Sequence, residues 1–137
     1  MRLFVAAPYS KQVNYETGEV FPEYRAWLEE ILTSLESYGH EVFSALRADN
    51  YKINDLDPAS AFRLDEGEID TSDAFIAFVN DTISAGIQTE IGMAITKGKR
   101  VVIAHLPEHK LEYFNQAIIL AGQATEAILP MNSDPLA

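Results

Sequence analysis

Three stretches of this chain, residues 2–7, 73–79 and 100–104, are apolar almost without interruption. A strand with one wet face alternates apolar and polar side chains, whereas an unbroken run marks a strand covered on both faces, as in a parallel sheet. Between the runs, apolar residues recur at helical spacing: Tyr24, Trp27, Leu28, Ile31, Leu32 and Leu35 line one face of a helix expected over 21–38. Gly39 is placed to end that helix, and a second strand follows over 40–45. Further helices are expected over about 58–71, 87–97 and 108–121, and a last short strand over 126–129. With right-handed crossovers this alternation predicts an α/β fold, a single-domain doubly wound (flavodoxin-like or Rossmann-like) five-stranded parallel sheet with helices on both faces. Ligands of such sheets bind beyond the carboxyl ends of the strands, where the polar loops 8–20, 46–60 and 80–86 converge.

The chain of 137 residues is 47% apolar, enough for one core. It shows no internal repeat or low-complexity segment, so one domain over 1–137 is expected, with a short tail from about 130 that contains Pro130 and Pro135. A net charge of −11 argues against nucleic-acid partners, which need clustered Lys and Arg. An anionic small molecule would have to be captured locally, against that field. No apolar run reaches membrane-spanning length, and Met1–Ala7 meets Pro8 too soon for a signal peptide, so no membrane partner is expected. With no cysteine there are no disulfides, thiolate zinc sites or cysteine nucleophiles, which fits a cytoplasmic location. His40, His105 and His109 lack metal-ligand spacing, and no metal is expected. Glycine-rich phosphate loops and the Gly-x-Ser-x-Gly elbow are missing, which weakens dinucleotide, Walker-type and serine hydrolase readings.

The segment from Ser84 to Arg100 carries the chemistry. A small-residue turn, Ser84-Ala85-Gly86, leads into a helix, and Gly98-Lys99 closes it before the third apolar run. Glu90 is expected in the helix's first turn, where free N–H groups and the dipole favour an ionised carboxylate. Gly92 weakens a helix, which suggests that something packs closely there. Read blandly, Glu90 is an ordinary first-turn charge, Ser84 is turn chemistry, and Asp65 belongs to the solvated acidic face Asp65-Glu66-Gly67-Glu68-Ile69-Asp70.

Taken together, Ser84-x-Gly86-x-x-x-Glu90-x-Gly92-x-Ala94 with Gly98-Lys99, the opening strand ending in Ala6-Ala7-Pro8, and Asp65 ahead of the 73–79 strand resemble the nucleoside 2-deoxyribosyltransferase superfamily, from Arg2 to about Gly122. The resemblance implies that Glu90 attacks the anomeric carbon of a nucleoside and that Asp65 manages the proton of the leaving base; Asp70 and Glu66 are alternatives for the second carboxylate. Such a pair flanks an oxocarbenium-like transition state, about 5–5.5 Å apart when one of them is the nucleophile. The acid partner gains from a raised pKa.

Serine at position 84, rather than an acidic residue, is similar to the branch that hydrolyses nucleoside 5′-monophosphates. An Asp would repel a phosphate dianion, whereas a hydroxyl donates to it. Gly86 lets backbone N–H groups approach the anion at the helix start. Related hydrolases carry a tyrosine where this chain has Phe4, and a Gly- and Arg-containing loop where it has Pro8-Tyr9-Ser10-Lys11. Tyr9 and Ser10 are therefore expected to line the mouth, and Phe4 to contact the substrate without a hydroxyl, which Tyr9 could supply from nearby.

The resemblance also implies a homodimer or larger assembly with shared sites. A polar residue would come from the partner's helix, with Asn115 or, under another gap placement, Ala117 at that position. No cofactor is implied. The expected reaction is hydrolysis of the N-glycosidic bond of a (deoxy)nucleoside 5′-monophosphate. Base exchange by a 2′-deoxyribosyltransferase and non-catalytic nucleotide sensing are the alternatives, and the base and the sugar stay open.

Overall fold

A computed structural model of the chain describes residues 1–53 and 57–137. Five strands form one all-parallel sheet: β1 (Arg2–Ala6), β4 (Glu41–Ser44), β5 (Ala74–Phe78), β6 (Arg100–His105) and β7 (Thr125–Ile128), in the order β4-β1-β5-β6-β7. The order steps outward from β1 in both directions, which is the flavodoxin-like arrangement and puts a topological switch point between β1 and β5. Register runs Leu3 against Val42 on one side and against Ala74 on the other. All five residues of β5 are buried, as the unbroken apolar run requires of a central strand covered on both faces.

Helix α1 (Pro22–Ser37) covers one face through Leu28, Leu32 and Leu35, which meet Leu3, Val5 and Ile76 of the sheet. The other face lies under α3 (Pro58–Thr71), α4 (Ala85–Thr96) and α5 (Tyr113–Leu120), whose Ile69, Ile91, Ala94 and Ile118 pack on Phe4, Phe75 and Val101. Local chemistry fixes the helix starts. Pro22 and Pro58 stand in first turns, and the Asp57 carboxylate accepts from the N–H groups of Ala59 and Ser60. Gly98 ends α4 at φ +72°, a left-handed turn that glycine adopts without strain.

The remaining elements are small. The loop after β1 folds on itself as a hairpin, β2 (Val13–Asn14) with β3 (Glu19–Val20), and a four-residue helix α2 (Ala45–Ala48) follows β4. The expected loop 46–60 therefore opens on a helix turn and closes in α3; its residues 54–56 lie outside the described residues.

Two helix boundaries differ from expectation. Helix α4 starts at Ala85 because Ser84 caps it, its hydroxyl accepting from Ile87 N–H at 3.3 Å. Helix α5 starts only at Tyr113, because Glu112 caps it through the N–H groups of Phe114 and Asn115. The tail is not loose: Leu129 and Leu136 are buried on the α1 face, and Arg100 donates to the Leu136 carbonyl at 2.7 Å. No helix among the described residues is long and apolar enough to cross a membrane.

Candidate active site

A cavity of about 570 Å³ opens at the carboxyl ends of β1 and β4 and is walled by α3 and α4. Its floor is Phe4, held between Phe43 and Phe75 with ring centroids 5.3 Å away in both cases. One wall presents Asp65 from α3 and Glu90 from α4, two helices that pack on each other. Ser84 and Gly86 stand at the start of α4, and Tyr9 and Ser10 line the mouth, both exposed.

Asp65 and Glu90 are hydrogen-bonded to each other. Two carboxyl groups in contact need a proton between them, since an ionised carboxylate only accepts. Burial first, and then the charge of Asp65 and the hydrogen bond to it, push Glu90 up to about 8. Asp65 is raised as well, first by burial and then by Asp49 and Glu68, while its bond with Glu90 works the other way.

The sequence argument from the helix dipole therefore fails for Glu90. With α4 starting at Ala85, Glu90 lies in the second turn, beyond the reach of the helix-end charges, and desolvation dominates. At neutral pH the pair holds one proton, as like charges in one site dictate. Gly92 also departs from expectation, since a Cβ there would meet nothing within 4 Å. At Gly86 a Cβ would meet only the Ser84 hydroxyl, at 3.9 Å, so the backbone stands open to the cavity.

Asn115 does not line this cavity. It is the buried residue of α5, where its side-chain oxygen accepts from Gln88 Nε2 at 3.0 Å, while Ala117 is half-buried. The three histidines each face a carboxylate outside the cavity: His40 with Asp134, His105 with Glu126 and His109 with Asp81. Of the alternatives to Asp65, Asp70 pairs with Lys97 at 2.5 Å, and neither it nor Glu66 lines the cavity.

Sequence reasoning missed Asp49 and Lys52, which reach the cavity from the loop after α2. Asn50 and Tyr51 between them both take left-handed backbone, φ 54° and 59°, which asparagine tolerates but which costs the bulky Tyr51 about 1–2 kcal/mol. Packing holds them there. Tyr51 is buried and donates its hydroxyl to Glu29, Arg25 stacks over its ring at 4.7 Å, and its carbonyl accepts from Val20 N–H. Arg47 ties the segment to α1 through Glu29 and Glu36, both at 3.0 Å. The only sequence signal for this loop was its place beyond a strand's carboxyl end.

Comparisons with known proteins follow the same lines. Over 98% of this chain and 91% of the other, the fold superposes on the CMP N-glycosidase BcmB of Clostridium botulinum with TM-score 0.68 at 22% identity. A 2-deoxyribosyltransferase of Bacillus psychrosaccharolyticus gives 0.65 at 19% identity, over 99% and 94% of the two chains. The solution structure of BlsM gives 0.70 at 28% identity, over 99% and 83%. No curated protein matches the sequence. The nucleoside 2-deoxyribosyltransferase family matches residues 17–131, from the β2–β3 hairpin through the cavity wall to the tail, and the chain belongs to that family.

Proposed function

We propose that this chain hydrolyses the N-glycosidic bond of a nucleoside 5′-monophosphate, releasing the free base and a pentose 5-phosphate. The observation that carries the reading is the Asp65–Glu90 pair, two half-buried carboxyl groups hydrogen-bonded to each other on the wall of a nucleotide-sized cavity. Family membership supports N-glycosidic chemistry, and the CMP N-glycosidase and 2-deoxyribosyltransferase of like fold carry out the two variants of it.

Glu90 attacks C1′ as the bond from C1′ to the base nitrogen breaks, and the shared proton, on Asp65, passes to the departing nitrogen. Water then attacks C1′ of the glycosyl ester and gives its proton to Asp65, and Glu90 leaves as a carboxylate. A hydrogen-bonded pair leaves no room for the water that an inverting mechanism places between two carboxyls about 6.5–9.5 Å apart, which favours the covalent route. The carboxylates of Glu90 and Asp49 beside the sugar site stabilise positive charge developing on the ring.

The phosphate end falls at the start of α4. The Ser84 hydroxyl oxygen accepts from Ile87, which leaves its proton to donate to a phosphate oxygen beside the open backbone of Gly86. Lys11, on the loop after β1, donates to Thr82 at 3.1 Å, and Lys52 lines the cavity, so cations stand near the mouth of an otherwise acidic molecule. The phosphate preference separates hydrolase from transferase readings. The test is chromatographic base release from a panel of 5′-monophosphates and free nucleosides, with and without a second base. Release from monophosphates alone is expected. Release from free nucleosides only with an acceptor base assigns the chain to base exchange, and binding without release to sensing.

A further inference from the structure

Strand order polarises the cavity. Helix α4 follows β5, whereas α2 and the loop 49–53 follow β4, and β1 lies between the two. With the phosphate at the start of α4 and C1′ against Glu90, a nucleotide runs across β1 and its base rests at the β4 end. Phe43, Leu46 and Ile53 give that end apolar walls for the faces of a ring, which leaves orientation and specificity to a few polar groups. Among the described residues those groups are Ser44, Asp49 and Lys52. Ser44 caps α2, its oxygen accepting from Arg47 N–H at 3.4 Å. The Lys52 side chain is exposed, with its ammonium 3.7 Å from Glu19.

Asp49 is half-buried and fixed. Its N–H donates to the Ala45 carbonyl at 3.1 Å, and its own carbonyl accepts from Lys52 N–H at 3.2 Å. Two residues on, buried Tyr51 is kept in left-handed backbone, and strain maintained by packing is typical of functional positions. Local structure does not account for the carboxylate. Asp49 ends α2, where the unpaired groups are carbonyls, and a side chain that only accepts satisfies none of them. Its charge acts on Asp65, which sets it beside the acid that serves the leaving base.

We infer that Asp49 reads the base: its carboxylate accepts from an exocyclic amino group, which makes this chain selective for amino-bearing bases over their oxo analogues. The inference rests on the proposed function and adds the base to it. A carboxylate is suited to the amino group of cytosine wherever a base edge is read. Exchange of amino for oxo sets a carbonyl oxygen against the carboxylate, so two acceptors meet and both are desolvated without a proton between them. The neighbouring ring nitrogen gains an N–H in that exchange, but it lies one atom further round the ring, and the pinned backbone of Asp49 does not follow it. A site built to hydrogen-bond one group rejects the analogue that lacks it.

The experiment compares kcat/KM within pairs of 5′-monophosphates that differ by amino against oxo: cytidine with uridine, adenosine with inosine, guanosine with xanthosine. Each carries whichever sugar, ribose or deoxyribose, is cleaved faster. In the pair cleaved fastest, the amino member is expected to exceed the oxo member by about 10- to 100-fold, as for one hydrogen bond to a charged group. The amide of Asp49→Asn both donates and accepts, so that ratio is expected to fall by about tenfold, whatever happens to the overall rate. An oxo base released as fast as its amino partner overturns the inference, as does an unchanged ratio in an Asp49→Asn variant with native circular dichroism. Either result leaves the proposed function intact. No base release from any of the six overturns the proposed function, and this inference with it.

Discussion

At the scale of single residues, the chemistry rests on a conflict between burial and charge. Glu90 is raised first by desolvation and next by Asp65, so the folded state holds a proton that the unfolded chain gives up near the ordinary value of 4.5. Between that value and about 8 the native state binds more protons than the unfolded state, and stability falls as the pH rises through this window. Glu90→Gln keeps the shape, removes the titration and donates an N–H to Asp65. It is expected to raise stability by about 1–2 kcal/mol at pH 8. The gain should shrink toward pH 5, as measured by thermal denaturation, and base release should be lost. A gain that does not depend on pH would count against a shared proton.

Ser84 separates capping from recognition. Aspartate caps a helix as well as serine does. Ser84→Asp should therefore leave the melting temperature nearly unchanged while raising KM for monophosphates by about tenfold or more through repulsion of the phosphate. Equal KM values in variant and wild type would remove Ser84 from the phosphate site. The spacing from Ser84 to Glu90 was legible in the sequence because both lie on one helix. The protonation of the pair was not legible, since it depends on α3 bringing Asp65 alongside from another element.

At the scale of elements, the loop from Asp49 to Ile53 is held in an unfavourable backbone by its neighbours. Arg47, Glu29 and Glu36 tie it to α1, and Tyr51 is clasped between Glu29 and Arg25. That strap sets where Asp49 and Lys52 meet the cavity. Arg47→Ala is expected to cost about 1 kcal/mol by urea unfolding, since its partners are partly exposed, and to raise KM more than it lowers kcat. A fall in kcat at constant KM would place the loop in the chemical step instead. Asn50 is a residue that tolerates the left-handed region, but nothing in the sequence marks Tyr51 as left-handed. Strands were plainer: a run buried on both faces, such as β5, leaves no alternation to misread. Helix ends were read less well where a side chain sets the start, as Ser84 does for α4 and Glu112 for α5.

Over the whole molecule, the sheet's two faces are covered unequally. Three helices lie on one face, while α1 and the tail close the other. The tail fills the place where a further helix would pack, with Leu129 and Leu136 buried and Asp134 2.9 Å from His40. Leu136→Ala is expected to destabilise the fold by about 2–3 kcal/mol and to leave kcat unchanged, because the tail sits on the face away from α3 and α4. Chemical denaturation and steady-state kinetics check the two halves of that expectation. The sequence suggested a plain tail because its apolar residues are scattered among Pro, Asn, Ser and Asp and show no period.

Helix α5 leaves Tyr113, Phe114 and Leu120 exposed, at 76%, 66% and 86%, and keeps Asn115 for Gln88.

The central claim is that Glu90 forms a covalent glycosyl ester. Mass spectrometry of the protein, acid-quenched during turnover of the preferred monophosphate, tests it most directly. The account predicts a mass increase of one pentose phosphate, mapped to the peptide containing Glu90 and absent from Glu90→Gln. Base release that continues in Glu90→Gln, with no adduct on the wild-type protein, would contradict it.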